Sequence, residues 1–137
     1  MSADACDDIA ELLESLGFGT RGIDIFTTVD FDMKGELRGI LVEAANPGTM
    51  VDALIDTDTV GVDLTISKGE GDMGRLQTSN LSFAIFKALD LQTDVTVDGT
   101  DYLCIQAANT PYEIKRDGRY YRAFRLEVTR YYGGITA

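Results

Sequence analysis

The hydrophobic period of this chain changes near residue 90, and that change limits what the chain can fold into. Before it, apolar side chains recur at the three- and four-residue steps of one helical face: Leu81, Ala84, Ile85, Ala88 and Leu89. Asp72 is a candidate N-cap of this helix. After it, apolar and polar residues alternate, as in strands that bury one face. The pattern predicts an amphipathic helix packed on a sheet.

Two Asp-Gly pairs predict the hairpins of that sheet. Asp98-Gly99 and Asp117-Gly118 each separate alternating segments, and such pairs favour two-residue turns whose central residues need positive φ. In the strand after the first turn, Leu103, Ile105 and Ala107 are predicted to lie on one face, and Tyr102, Cys104 and Gln106 on the other. The last strand is predicted to bury Phe124, Leu126 and Val128.

The first half of the chain predicts a second helix and further strands. The helix covers residues 7–16, with Gly17 as its stop and an apolar stripe of Ile9, Leu12, Leu13 and Leu16. Strands are predicted over 23–29, 39–45 and 60–67, and mostly loop over 49–59. The complete pattern predicts one domain over 1–137 with an α+β fold: a mixed, mainly antiparallel β-sheet with two α-helices packed on it.

Composition narrows the functional classes. The chain has 137 residues and is 45% apolar, enough for one globular core. Its apolar runs are far shorter than a membrane span, and residues 1–8 are acidic without Lys or Arg, unlike a secretory signal. Cys6 and Cys104 are interpreted as reduced thiols of a cytosolic protein. A net charge of −11 disfavours nucleic-acid and anionic membrane partners.

The charges divide along the chain. Twenty of the 23 acidic residues lie at or before Asp101, whereas six of the 12 basic residues follow it: Lys115, Arg116, Arg119, Arg122, Arg125 and Arg130. One interpretation is a solvated sheet face of mixed charge. The other is a subunit with a basic and an acidic end, suited to head-to-tail contact with its copies.

The second interpretation predicts an interface. Its basic side is the hairpin around Asp117-Gly118, with Lys115, Arg116, Arg119, Tyr121 and Arg122. Tyrosine and arginine are over-represented at protein interfaces. Its acidic side, on the next subunit, is the loop with Asp30, Asp32 and Glu36.

The residue inventory argues against catalysis. The chain has no histidine, which removes the commonest general base and most zinc sites. Carboxylate-only hydrolysis remains open, but nothing marks a particular pair of acids. Residues 56–61 begin like a calcium loop, yet position twelve is Ser67 rather than glutamate. The sequence therefore predicts no catalytic, cofactor or metal site.

Two segments match the dinucleotide pattern G-x-G-x-x-G. The first, 17–22, follows a helix and precedes a strand, which is the wrong order, so it is interpreted as a helix stop and turn. The second, Gly69 to Gly74, follows a strand and opens a helix, with Asp98 near the position of a ribose-binding acid. Glu70 and Asp72 would repel a pyrophosphate, which favours a flexible loop. A small nucleotide-binding module stays the alternative of a different class.

The order of these signals resembles the minor capsid or tail-terminator family of long-tailed bacteriophages. The residues concerned are the Leu-Gly-Phe-Gly-Thr turn at 16–20, Gly-Ile-Asp-Ile-Phe at 22–26, the strand and loop at 62–69, Val-Thr-Val-Asp-Gly-Thr-Asp-Tyr-Leu at 95–103, Pro-Tyr at 111–112, Asp-Gly-Arg at 117–119 and Phe-Arg-Leu-Glu-Val at 124–128. The resemblance covers nearly the whole chain. Residues 34–59 and 69–74 depart from the pattern of the family.

The resemblance implies a structural role. Family members are small α/β subunits that form a ring, typically a hexamer, which caps the tail tube, ends its growth and joins it to the head-side connector. The implied partners are copies of the chain, the tail-tube protein and the connector, with DNA passing through the ring; no membrane, cofactor or catalytic residue is implied. The implied location is the virion, after assembly in the host cytoplasm. Another head–tail joining protein or a tail-tube subunit is the alternative within this class.

Overall fold

The computed structural model describes residues 4–27, 37–45, 50–52, 57–116 and 118–131. Within these ranges lie two helices, α1 (Ala5–Ser15) and α2 (Gly71–Leu89). The strands are β1 (Ile25–Thr27), β2 (Gly39–Ala44), β3 (Met50–Asp52), β4 (Thr57–Glu70), β5 (Gln92–Val97), β6 (Thr100–Ala107), β7 (Tyr112–Arg116) and β8 (Arg119–Tyr131). The predicted α+β fold class is confirmed.

The strands form one mixed sheet in the order β1-β2-β4-β8-β6-β5, with β3 on β4 and β7 on β8. Among the described strands, β1 and β2 pair in parallel and the other pairs are antiparallel. One edge of β8 pairs with β4; the other pairs with β7 near its start and with β6 near its end. The two hairpin turns therefore lie beyond opposite ends of β8.

Both helices contribute to one core. Val62, Leu64 and Ile66 of β4 are fully buried in it, together with the inward side chains of α1 and α2. α2 packs on β4 and β8, whereas α1 contacts β1 and β2 at one edge of the sheet and β5 at the other. The sheet is thus curved around α1, which brings the first helix close to the β5–β6 hairpin.

Local chemistry sets the ends of α1. The carboxylate of Asp4 accepts a hydrogen bond from the backbone N–H of Cys6 at 2.9 Å, so the helix begins two residues earlier than predicted. Gly17, at φ +87°, ends it as predicted. The turn interpretation of the 17–22 glycine pattern is confirmed. Leu16, predicted to lie on the buried stripe, is exposed because it lies beyond the last helical turn.

The inner face of α2 consists largely of small residues: Gly74, Thr78, Ser82, Ile85 and Leu89. A Cβ on Gly74 would lie 2.6 Å from the backbone carbon of Gly69, so only glycine lets the helix approach the sheet this closely. The predicted apolar face is therefore partly wrong, since Ala84 is exposed. Asp72 lies in the first turn, and the capping position belongs to Glu70.

The first hairpin has the predicted turn but a different register. Asp98 and Gly99 have φ of 47° and 78°, as a type I′ turn requires. The pairing of β6 with β8 shifts between Tyr102 and Cys104, so Tyr102 and Ile105 both point into the core. The prediction that Tyr102 points away from Ile105 is therefore wrong.

The strands of the first half differ from prediction in length. The strand predicted over 23–29 is described only as Ile25–Thr27, and Ile23 is exposed. The loop predicted over 49–59 is wrong, since Met50–Asp52 and the start of β4 at Thr57 pair with each other. The strand predicted over 39–45 is confirmed as an interior strand.

Ile85 tests whether α2 is held by core packing. Its side chain is fully buried in the shared core, so Ile85→Ala is expected to lower the free energy of unfolding by roughly 2–5 kcal/mol. Ile23→Ala, at a position that is 69% exposed, is the matched control and is expected to change it by at most about 0.5 kcal/mol. Urea unfolding followed by circular dichroism measures both. Equal effects would contradict this packing.

Candidate assembly surface

The predicted interface residues do not lie together. Lys115 and Arg116 are exposed on β7, as predicted, whereas Arg122 is half-buried on β8. Tyr121 is half-buried and points to the opposite face of β8 from Arg122, because successive residues of a strand alternate. The predicted acidic partners Asp30, Asp32 and Glu36 lie outside the described residues.

The structure corrects the prediction for Arg119. It was predicted to project toward a neighbouring subunit, but only 3% of it is exposed. Its guanidinium donates to the backbone carbonyl of Leu37 at 2.6 Å and lies 4.0 Å from the carboxylate of Glu70. Arg119 therefore joins the start of β8 to the segment before β2.

A cluster of charged and aromatic side chains joins α2 to the β7–β8 hairpin. Arg75 of α2 donates to both carboxylate oxygens of Glu113 at 2.7 and 3.0 Å. This pairing raises the pKa of Arg75 and lowers the pKa of Glu113. Arg75 and Lys115 both lie over the ring of Tyr120, at 5.3 and 5.4 Å from its centroid. The cluster holds the hairpin against the first half of the helix.

The outer face of α2 carries an apolar stripe, formed by Met73, Leu76 and Phe83 and called the α2 stripe below. These side chains are 68%, 57% and 36% exposed, and their spacing places them on one side of the helix. Arg122 covers part of the Phe83 ring, with its guanidinium carbon 5.6 Å from the centroid. Exposed apolar side chains next to arginine and tyrosine have the composition of a protein interface.

Exposed charges mark both ends of the sheet. The acidic end, around the β5–β6 turn and α1, comprises Glu11, Glu14, Asp94, Asp98 and Asp101, all exposed. The other end, around the start of β8 and called the basic end, carries the exposed residues Lys68, Lys115 and Arg116 beside the exposed carboxylates of Glu70, Asp72 and Glu113. β8 connects the two ends and, at about 3.3 Å per residue, spans on the order of 40 Å.

Two other arginines of β8 pair within the subunit. Arg125 donates to Asp63 at 2.9 Å on the exposed side of the sheet. Arg130 donates to both oxygens of the buried Asp58 at 3.0 and 3.2 Å. Since Asp58 lies in β4 and neutralises an arginine, the described part of the calcium-like pattern at 56–61 is strand and ion pair. That part has no loop to hold calcium.

The glycine pattern at Gly69 to Gly74 does not form the predicted loop. β4 extends to Glu70 and α2 begins at the next residue, so the strand leads directly into the helix. β5 lies at the far edge of the sheet, separated from β4 by β8 and β6. A dinucleotide site of the predicted kind needs neighbouring parallel strands around the helix. The described topology gives the nucleotide-binding alternative no support.

A buried carboxylate lies beneath the acidic end. The hydroxyl of Tyr102 donates to Asp8 on the inner side of α1. Burial and the nearby charges of Asp98 and Glu11 raise the pKa of Asp8 to about 6. Burial and the contact with Asp8 also raise the pKa of Tyr102. Because the folded pKa exceeds the unfolded value of about 3.9, folding disfavours the ionised carboxyl, and this effect disappears as pH falls through 6 toward 4.

The chain matches no protein-family model, and no curated protein matches its sequence. In the portion of the chain that the structure describes, neither helix has the length and apolar character needed to cross a membrane.

Sequence reasoning missed the α2 stripe and the Asp8–Tyr102 pair. The available signal for the stripe was the four-residue spacing of Gly74, Thr78 and Ser82, which is typical of a helix in close contact with a sheet and places the larger apolar residues outside. The pair had no local signal, because its members are 94 residues apart.

Proposed function

We propose that this chain is a structural subunit that assembles head to tail into a closed ring, as tail terminators of long-tailed bacteriophages do. The ring, hexameric in this proposal, caps the tail tube in the virion, stops its growth and joins the tail to the head-side connector. The observation that carries the proposal is that Lys68, Lys115, Arg116 and the start of the α2 stripe lie at one end of β8, whereas the exposed carboxylates of the acidic end lie at the other.

Electrostatics favours a heterologous contact. Copies of a subunit with charge −11 repel one another, so association requires local attraction that exceeds the overall repulsion. Bringing Lys68, Lys115 and Arg116 of one copy against the acidic end of the next supplies that attraction. A contact between two different surfaces of the same chain produces a ring when its rotation closes and a filament when it does not.

The α2 stripe supplies the part of the contact that salt does not screen. Burying apolar side chains of this size is worth about 1.5–3 kcal/mol each, whereas an exposed ion pair is worth about 0–1 kcal/mol. The charges therefore select the orientation, and Met73, Leu76 and Phe83 contribute most of the affinity. In this form of the proposal the acidic partner is the acidic end, in place of the predicted loop with Asp30, Asp32 and Glu36, which lies outside the described residues.

The mass and shape of the purified assembly test the proposal. Light scattering is expected to give a single closed oligomer, and electron microscopy along its axis is expected to show a ring with a central opening. Long tubes would favour the alternative of a tail-tube subunit. A chain that remains monomeric at high concentration would contradict assembly. Capping is tested by adding the ring to growing tail tubes, whose length is expected to stop increasing.

Leu76→Glu is expected to prevent ring formation while leaving the subunit folded. The change places a carboxylate in the α2 stripe, where a neighbouring copy would have to bury it, and an unpaired buried charge opposes association strongly. Ile23→Glu is the matched control, since Ile23 is also exposed, at 69%, but lies outside the stripe. Light scattering and circular dichroism measure assembly and folding. If both variants formed rings like the wild type, the stripe would not be the interface.

A further inference from the structure

The acidic end contains a buried carboxylate oxygen without a partner. Asp8 is 1% exposed, and the Tyr102 hydroxyl donates to its Oδ2 atom. Its Oδ1 atom is buried and has no hydrogen-bond partner among the residues that the structure describes. Buried polar atoms in folded proteins are nearly always satisfied, so an exception points to a missing partner.

The exposed carboxylates of Glu11 and Asp98 lie close to the buried carboxylate of Asp8. Oxygen atoms of Asp8, Glu11 and Asp98 all lie within 4.8 Å of one another. Asp8 and Glu11 are three residues apart on α1 and therefore share one side of the helix. Asp98 is supplied by the β5–β6 turn, where its φ of 47° fixes the backbone. Three negative charges this close repel one another unless a cation lies between them.

We propose that Asp8, Glu11 and Asp98 bind a divalent cation, and that Ca²⁺ is the ion they fit. Calcium accepts oxygen ligands at about 2.3–2.6 Å, so two of its ligands stand at most about 5 Å apart. Three carboxylates without histidine or thiolate favour a hard cation over zinc or copper. A cleft of about 350 Å³ beside Glu11 and Asp98 leaves room for water to complete the coordination.

The ion would connect two elements that the chain does not connect locally. α1 supplies two ligands and the β5–β6 turn supplies the third, so binding would hold the first helix against the edge hairpin. The Tyr102 hydroxyl orients the Asp8 carboxylate, as partners of metal ligands commonly do. The inference does not depend on ring assembly. It departs from the expectation of no metal site, which rested on the absence of histidine and on the spacing of possible ligands in the sequence.

Terbium and calcium provide the binding test. Tb³⁺ substitutes for Ca²⁺ and luminesces when an excited tyrosine lies close, as Tyr102 would. Titration of the intact protein with TbCl₃ is expected to saturate at one ion per chain, and CaCl₂ is expected to displace it. Asp98→Asn and Glu11→Gln are each expected to weaken binding about tenfold or more, since affinity follows the number of charged ligands.

Asp94→Asn is the matched control. Asp94 is an exposed aspartate of the same hairpin, and its φ of 53° resembles that of Asp98. Asparagine tolerates this conformation, so both variants remove one charge and keep the backbone. Binding by Asp94→Asn within about twofold of the wild type supports a defined site. Equal losses in both variants, or no saturation in the wild type, would overturn the proposal.

Thermal unfolding of Asp8→Asn gives an independent readout. Without cation, the neutral amide is expected to raise the melting temperature, because it removes a buried negative charge and still accepts the Tyr102 hydrogen bond. With CaCl₂, the melting temperature of the wild type is expected to rise and that of the variant to stay constant. A variant that gains as much from CaCl₂ as the wild type would show that Asp8 is not a ligand.

Discussion

Arg119→Glu is expected to lower the free energy of unfolding by about 3–5 kcal/mol, the range observed when a buried charge loses its partner. The wild-type guanidinium is almost fully buried and donates to the Leu37 carbonyl at 2.6 Å. A carboxylate there would face that carbonyl oxygen and the Glu70 carboxylate, neither of which can donate a hydrogen bond. The start of β8 would lose its connection to the segment before β2.

Arg116→Glu is the control for this effect. It lies opposite Arg119 across the β7–β8 hairpin and undergoes the same change of charge, but it is exposed. Its expected effect is at most about 0.5 kcal/mol. Denaturant midpoints measured by circular dichroism compare the two variants. If Arg119→Glu were as mild as Arg116→Glu, the buried position of the arginine would be refuted.

Gly39→Ala is expected to destabilise the subunit by about 4 kcal/mol or more, an effect reserved for disrupted cores and strained backbone. Gly39 has φ of +142°, and a Cβ there would lie 2.1 Å from the backbone oxygen of Asp24. That oxygen accepts the backbone N–H of Ile40 at 2.8 Å. The Asp24 oxygen belongs to the backbone and cannot rotate away as a flexible side chain can. The methyl group would therefore displace the start of β1 from β2.

The Gly22→Ala variant separates the steric clash at Gly39 from the conformational cost of placing alanine at positive φ. Gly22 also has positive φ, +87°, but a Cβ there would meet nothing within 4 Å. Its expected destabilisation is only about 1–2 kcal/mol, from the left-handed backbone. Thermal unfolding of the two variants measures the difference. Similar melting temperatures would mean that β1 does not approach Gly39 closely.

Local chemistry made much of this fold predictable. The Asp98-Gly99 turn, the stop of α1 at Gly17 and the buried alternation of Phe124, Leu126 and Val128 each depend on residues close in sequence. Turn conformation and the two-residue strand period act over such distances, so they can be recognised without knowing the rest of the structure.

The predictions that failed concern features that depend on residues distant in the sequence. Arg119 carries a charge that suggests a surface position, but it is buried and donates to the carbonyl of Leu37, 82 residues away. Tyr102 changed face because pairing with β8 shifts beside it. The α2 stripe was missed because close contact with β4 favours small residues on the inner side. The candidate assembly surface could therefore be recognised only from the tertiary structure, whereas the division of charge along the chain was visible in the sequence.

The central position of β8 determines when this subunit can fold. Ribosomes make the chain from its N-terminus, so β8 emerges after the seven other described strands. Before then, β4 can pair only with β2 and β3, and the β5–β6 hairpin has no strand to join. Three described strands of the nascent chain, β4, β6 and β7, therefore have an open edge that could pair with other nascent chains. Folding of the sheet must wait for the last strand, and crowded synthesis of many copies favours chaperone protection until β8 is inserted.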